Sequence, residues 1–257
     1  MSSRSLARIG LALLASAGGV ASAAHAQDQA ALPFAVGERL SYEGRVRGIG
    51  GRGTMWIAGP VVVRGVQTFE LHFDFKAKMG PISVSQKTIS WLDPTRMAAL
   101  RFTKQERNPI ARHNETVELF PEERRWEGSD GASGDSPTNT PLDELSFIYF
   151  IRTLPLLTDS TLTYSRHFDP VRSPTTVRVV GHEEVTTPAG TFSTVMVEMR
   201  VRDSSHYRGE GTIRFALTDD RCRIPVRIES AIPDAGDVVL TLTDAGASPC
   251  VPHLAGR

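Results

Sequence analysis

Between Thr68 and Met79 the side chains alternate with a period of two, and no other feature constrains the fold as tightly. Phe69, Leu71, Phe73, Phe75, Ala77 and Met79 share one parity, while Thr68, Glu70, His72, Asp74, Lys76 and Lys78 share the other. A β-strand sorts these two sets onto opposite faces, one buried and one in water. The charged face excludes lipid contact there, because a membrane barrel turns apolar residues outward. At about 3.3 Å per residue the strand would reach about 40 Å, a length found in strongly twisted sheets and barrels.

Similar runs recur along the chain. Residues 38–47 and 52–63 flank Gly48-Ile-Gly-Gly51, which reads as a hairpin turn. Residues 82–91, 97–105 and 113–120 continue the meander, and 176–186 and 191–202 flank a second turn at Thr187-Pro-Ala-Gly190. Residues 212–218, 223–230 and 237–243 complete a set of about ten or more strands without a fixed repeat.

One segment breaks the pattern. Thr140-Pro141-Leu142-Asp143 offers a hydroxyl at the N-cap, proline at N1 and a carboxylate at N3. Leu145, Phe147, Ile148, Tyr149, Phe150, Ile151 and Leu154 follow before Pro155 stops the run. A helix over about 141–154 would be apolar on nearly every side, and therefore buried, yet too short to cross a membrane. Before it, residues 128–139 read as loop or disorder. The expected fold is mainly β: a curved antiparallel sheet or open β-barrel-like single domain, with this one helix in its concave side.

The N-terminus supplies an address. Arg4 and Arg8 precede a short apolar run over residues 9–20, and Ala24-His25-Ala26 has small residues where a signal peptidase reads. Residues 1–26 are therefore expected to be a signal peptide, and 27–257 a single β-rich domain. No cysteine follows the apolar run to suggest a lipid anchor. The periplasm is the expected destination, with the extracellular space as the alternative.

The 29 basic and 29 acidic residues balance, and losing Arg4 and Arg8 leaves a net charge of about −2. That balance argues against a general binder of nucleic acid or anionic membrane. Lysine occurs only at 76, 78, 87 and 104, for which a GC-rich genome is a simpler reason than phosphate binding. No apolar run in the mature chain reaches membrane-spanning length.

Several motifs in their order along the chain resemble a known family. Phe34-Ala-Val-Gly37-Glu38-Arg-Leu40-Ser-Tyr42 opens the series, and Asp143-Glu-Leu-Ser146-Phe-Ile-Tyr149 with Arg152 supplies its helix motif. Gly181-His-Glu183-Glu-Val185-Thr-Thr-Pro-Ala-Gly190-Thr-Phe192 is similar to its hairpin. Thr218-Asp-Asp220-Arg-Cys-Arg-Ile-Pro225-Val226, with Gly236 before a last strand, is similar to its closing hairpin. Together they resemble the exported bacterial domain-of-unknown-function family 3108 over roughly residues 33–245. The resemblance implies an exported, mainly β protein and brings no activity or catalytic residue with it.

The residues themselves assign no catalytic, cofactor-binding or metal-binding set. G-x-S-x-G, P-loop and H-E-x-x-H patterns are missing, and the histidines at 72, 113, 167, 182, 206 and 253 have no ligand spacing. Alternation places Glu183 with Val177, Val179 and Val185, so Glu183 and Arg152 form a candidate buried polar pair. The preferred alternative puts Glu183 at the sheet rim, in water. Arg214, Arg221, Arg223 and Arg227 form a candidate patch for an anionic contact, with a solvated face balanced by Asp219, Asp220 and Glu229 as the plainer reading. Trp56, Trp91 and Trp126 are expected in the core or on a cavity wall rather than as a stacking platform.

Cys222 and Cys250 form a candidate disulfide, because an exported chain meets an oxidising compartment and the count is even. If residues 223–230 pair with 237–243, position 222 lies opposite about 246, with Cys250 four residues beyond.

The function expected is that of a non-enzymatic envelope protein binding an apolar ligand, such as lipid, or an envelope protein partner in the concave face. This shape is similar to that of periplasmic carriers of lipid-linked cargo, an analogy of fold alone. A structural or assembly factor without a ligand is the alternative, and an envelope hydrolase the third reading. A deep apolar cavity would favour carriage, a packed interior assembly, and clustered perturbed carboxylates with histidine catalysis.

Overall fold

A computed structural model describes residues 32–46, 48–109, 112–202, 209–233 and 236–246. The expected leader at 1–26 and Cys250 therefore lie outside the described residues. The elements are, in order, β1 (Arg39–Val46), β2 (Ile49–Val63), β3 (Val66–Met79), β4 (Ile82–Asp93), β5 (Ala98–Arg107), β6 (Arg112–Phe120), β7 (Arg125–Gly128) and β8 (Ser133–Asp135). Then follow α1 (Glu144–Arg152), β9 (Thr161–Tyr164), a 3-10 turn at Pro170–Arg172, β10 (Thr175–Thr187), β11 (Gly190–Val201), β12 (Gly211–Thr218), β13 (Pro225–Ile232) and β14 (Gly236–Asp244).

All fourteen strands join one open sheet, in the order β8-β7-β6-β5-β4-β3-β2-β1-β14-β13-β12-β11-β10-β9, and every pairing is antiparallel. A mainly β fold with one α-helix among the described residues is thus what forms, and the sheet does not close into a barrel.

The sheet rolls because its ladders are interrupted. Register shifts fall at Ser41/Tyr42, Ala58/Val61, Trp91/Leu92, Val179/Gly181 and Ala216/Leu217. Such bulges bend a strand and deepen its right-handed twist. The bending brings the tip of the β10–β11 hairpin onto β14, where Ala189 N donates to Leu242 O at 3.3 Å although β12 and β13 lie between the hairpin and β14 in the sheet.

Alternation on β3 holds through its middle, where Leu71, Phe75 and Ala77 are buried on the inner face and Lys76 and Lys78 exposed on the outer one, but fails at the ends, where Thr68 is buried and Met79 exposed. The β1–β2 turn is tighter than the glycines suggested, because β2 begins at Ile49 and Gly51 pairs with Gly44. Both lie beneath the Phe75 ring: a Cβ on Gly44 would meet Phe75 Cε2 at 2.8 Å, and one on Gly51 would meet Cζ at 2.7 Å. These glycines are absent side chains that make room for an aromatic ring, not turn formers.

Helix α1 starts later than its sequence signal. Asp143, not Thr140, is the N-cap: its carboxylate accepts from Leu145 N and Ser146 N, and Ser146 Oγ accepts from Asp143 N. That reciprocal box satisfies donors which a Thr140 cap would leave open. Residues 140–142 stay extended instead, as Leu142 bridges His167 and Pro141 O accepts from Ala99 N at 2.8 Å. The 128–139 segment is likewise not a simple loop, since Ser133–Asp135 forms the edge strand β8 beside β7.

The inner face is filled. Leu145, Phe147, Tyr149, Phe150 and Ile151 of α1 join Tyr42, Met55, Leu71, Phe75, Val197, Phe215 and Leu242 of the strands in one core. A smaller cluster of Phe102, Val117, Leu119 and Phe168 continues it under β5 and β6, with Trp126 packed against it.

Candidate functional site

Helix α1 carries polar groups at both ends into this apolar interior, and these are the groups with unusual environments. At its C-terminal end Arg152 donates to Glu38 Oε1 at 2.6 Å and Oε2 at 2.8 Å, with both side chains wholly buried. The same guanidinium donates to Pro33 O at 2.8 Å and to Cys222 O at 3.0 and 3.3 Å, and lies 5.3 Å from the ring centres of Phe34 and Tyr149. Planar Arg suits this role because its fixed fork can serve a carboxylate and carbonyls at once. Burial pushes the nearby Tyr42 and Tyr149 hydroxyls well above the usual phenol range, so both stay neutral.

At the N-terminal end Asp143 is fully buried and also accepts from Ser90 Oγ of β4 at 2.5 Å. Burial raises its carboxyl to about 6, against the pull of the hydrogen bonds from Ser90 and Ser146. Beside it Glu144 pairs with Arg172. Burial alone would raise the Glu144 carboxyl, but Lys104, Arg172 and His167 hold it down to about 2. On β5 and β6 Lys104 lies opposite Glu115; burial raises the Glu115 carboxyl, while Glu144 and Glu106 more than offset the effect of burial on Lys104 and keep it charged.

His167 completes this cluster, and burial lowers its ring to about 4. Its Nδ1 accepts from Asp169 N at 3.1 Å, which leaves the proton of the neutral ring on Nε2. A histidine placed this way presents an N–H donor and has no free lone pair with which to abstract a proton. The Asp143 carboxylate is likewise committed, with one oxygen held by two backbone amides and the other by Ser90. Perturbed carboxylates and a histidine do cluster here, but the hydrogen bonds of Asp143 and Glu144 tie α1 to β4 and to the 3-10 turn at Pro170–Arg172 rather than present a base or nucleophile.

The expected site residues are distributed differently. Glu183 and Arg152 do not meet: Arg152 is held by Glu38, and Glu183 is exposed on the outer face. The bulge at Val179/Gly181 explains this, since it inserts one residue and puts Glu183 opposite Thr194. Glu183 then lines a shallow outer hollow of about 260 Å³ with Met196, Arg214, Ala216, Arg227 and Glu229. Of the four patch arginines, Arg214 and Arg227 share that hollow, and each is paired, with Glu198 and Glu229. Arg223 pairs with Asp219 in the β12–β13 turn, to which Arg221 also belongs, so the four do not form one anionic contact.

Cys222 is buried in that turn and is not free. The turn is held by Asp220, whose Oδ1 accepts from Cys222 N and Arg223 N.

Two tryptophans also fall outside the core. Trp56 stacks on His72 at 4.5 Å under Arg39, and Trp91 Nε1 donates to Glu70 at 2.9 Å beneath Arg101, all on the outer face. Trp126, by contrast, packs edge-on to Phe168 as a core residue.

Glu38, Asp143, Glu144 and His167 were not singled out as site residues. A signal existed for three of them: Glu38 lies in the opening motif, and Asp143 and Glu144 in the same helix motif as Arg152.

Comparison with known proteins agrees with the fold. No curated protein matches the chain. A crystal structure of a β-barrel-like protein of the domain of unknown function DUF1849 from Brucella abortus shares 15% identity at a TM-score of 0.53, covering 80% of this chain and 95% of that one. A second structure, described as a "putative lipoprotein" from Parabacteroides distasonis, shares 11% identity at a TM-score of 0.30, covering 83% and 96%. The model of the family described as "Protein of unknown function (DUF3108)" matches residues 40–243, and the chain belongs to that family.

Proposed function

We propose that this protein is an exported, non-catalytic structural or assembly factor of the cell envelope, acting through its surfaces rather than by carrying cargo inside. The observation that carries this reading is the filled inner face. Tyr42, Tyr149, Phe215 and Leu242 are each at most 1% exposed, and α1 occupies the position an apolar ligand would take. A ligand bound there would have to displace the helix, together with the Arg152–Glu38 pair and the Asp143 cap at its two ends. The hydrogen-bonded state of His167 and Asp143 speaks against the hydrolase reading. The periplasm is the proposed compartment, reached through cleavage after Ala26.

Native mass spectrometry with lipid extraction, on protein purified from its own envelope, tests the reading. The expected result is a chain starting at Gln27 with no bound lipid. Stoichiometric lipid that dissociates only on unfolding would overturn it in favour of carriage. An uncleaved N-terminus would overturn the export step.

A further inference from the structure

The balanced formal charge conceals a segregated surface. Strand register places Arg52 of β2, Lys76 of β3, Ser85 of β4, Arg107 of β5 and Arg112 of β6 in one row, each beside the next. Arg45 and Lys78 share this outer face one step nearer the turns, and Lys87 lies one step further from them, opposite Asp74. All seven cations are exposed, and none forms an ion pair among the described residues. Glu43, Asp74 and Asp237 are acids on the same end and face, and Glu229 lies two strands from Arg45 in its row, paired with Arg227. Many arginines elsewhere are ion-paired, as in Arg64–Glu118, Arg96–Glu122, Arg125–Glu127 and Arg202–Glu210, whereas Arg39, Arg124, Arg166 and Arg221 stand singly rather than in a row. At about 4.8 Å between strands the row from Arg52 to Arg112 extends for about 19 Å. Three of the chain's four lysines stand here, a placement that composition alone does not explain.

An apolar tip projects from the same end. The β3–β4 hairpin turns at Met79-Gly80-Pro81-Ile82, with Met79 54% exposed and Lys78 directly behind it. Arg52, Lys76, Thr54 and Asp74 border an open hollow of about 380 Å³ at the base of the hairpin.

We propose that this end of the sheet docks on an anionic lipid surface, with Arg45, Arg52, Lys76, Lys78, Lys87, Arg107 and Arg112 facing lipid phosphates and the Met79 tip entering the headgroup boundary. Charge complementarity selects an anionic partner, and each basic residue near such a surface adds attraction. The exposed apolar tip selects a bilayer over a soluble polyanion, because only a bilayer offers apolar surroundings immediately behind its phosphates. No helix among the described residues is long and apolar enough to cross a membrane. The inference stands apart from the packed interior: lipid held inside the roll and lipid bound at this face are read by different measurements.

Co-sedimentation of the mature chain with vesicles tests it, using phosphatidylcholine and phosphatidylglycerol in about a 3:1 ratio against phosphatidylcholine alone. The expected result is binding at least about tenfold tighter to the anionic vesicles, falling as salt is raised. Lys76→Glu with Lys78→Glu should lose about tenfold or more, and Met79→Ser should weaken binding to vesicles but not to heparin. Arg214→Glu, on the other half of the sheet, should bind as the parent does. Near-UV circular dichroism confirms that each variant is folded. Equal binding to both vesicle types, or an unaffected Lys76→Glu/Lys78→Glu variant, would overturn the proposal. Heparin binding without vesicle binding would overturn it in favour of a soluble polyanion.

Discussion

Arg152 and Glu38 lie 114 residues apart in sequence and meet through two hydrogen bonds of 2.6 and 2.8 Å, where neither side chain reaches solvent. Through this pair and the carbonyls of Pro33 and Cys222, one guanidinium joins the segment before β1, the end of α1 and the β12–β13 turn. Removing either partner leaves a buried charge uncompensated. Arg152→Met or Glu38→Leu should each cost about 3–5 kcal/mol of unfolding free energy. Urea denaturation checks this, and the double variant Arg152→Met/Glu38→Leu should be more stable than the sum of the two single losses implies.

The helix itself gives a second, graded test. Phe147 is buried and Ile148 half-buried, so the order of damage is fixed by burial. Phe147→Asp should cost several kcal/mol and abolish a cooperative melt, whereas Ile148→Asp should lower the melting temperature and leave a folded protein. A normal melt for Phe147→Asp would contradict the placement of α1.

At Gly51 an added Cβ would lie 2.5 Å from the backbone oxygen of Lys76 as well as against the Phe75 ring. Backbone cannot swing aside as a side chain can. Gly51→Ala is expected to destabilise the sheet by about 1–3 kcal/mol, measured as a lower urea midpoint. Gly50→Ala, where nothing lies within 4 Å of the added atom, is the matched control and should cost little.

Acid stability should show two opposed slopes. Asp143 has a folded pKa raised from 3.8 to about 6, so its contribution is fully present below 3.8 and is lost as pH rises towards 6. His167 has a folded pKa lowered from 6.5 to about 4, so the native state binds fewer protons and stability is lost as pH falls from 6.5 towards 4. The two effects oppose each other between pH 4 and 6. His167→Gln should unmask a fall in stability with rising pH across that window, and Asp143→Asn the reverse. Thermal melts at a series of pH values check both, and parallel curves for the two variants would refute the assignment.

Cys222 and Cys250 are proposed to be bridged in the exported protein. The enclosed loop of about 29 residues corresponds to about 3.5 kcal/mol of stabilisation in the chain-entropy model. Non-reducing peptide mapping should recover the linked peptides. Two alkylatable thiols would end the proposal.

Much of this architecture can be read from local pattern. The period of two on residues 68–79 and the Thr187-Pro-Ala-Gly190 turn specify strands and a hairpin, because side-chain alternation and turn chemistry are properties of neighbouring residues. The apolar run after Asp143 specifies a buried helix for the same reason. Other features depend on contacts between distant segments. Alternation put Glu183 indoors, and a single inserted residue at the Val179/Gly181 bulge carried it to the other face. Thr140 is as good a cap as Asp143 in isolation, and it is Ser90 of β4, together with the pairing of Leu142 with the His167 strap, that decides between them. Alternation offers Glu183 as the partner of Arg152, whereas the roll brings Glu38 to it. The cationic row from Arg52 to Arg112 appears in no window of sequence, because its members are neighbours only across strands whose register is set by the whole sheet. Sequence therefore determined the long strands and the helix; the tertiary structure alone decided the short edge strands β7, β8 and β9 and which polar groups met, since these depend on bulges, register and curvature that emerge when the sheet assembles.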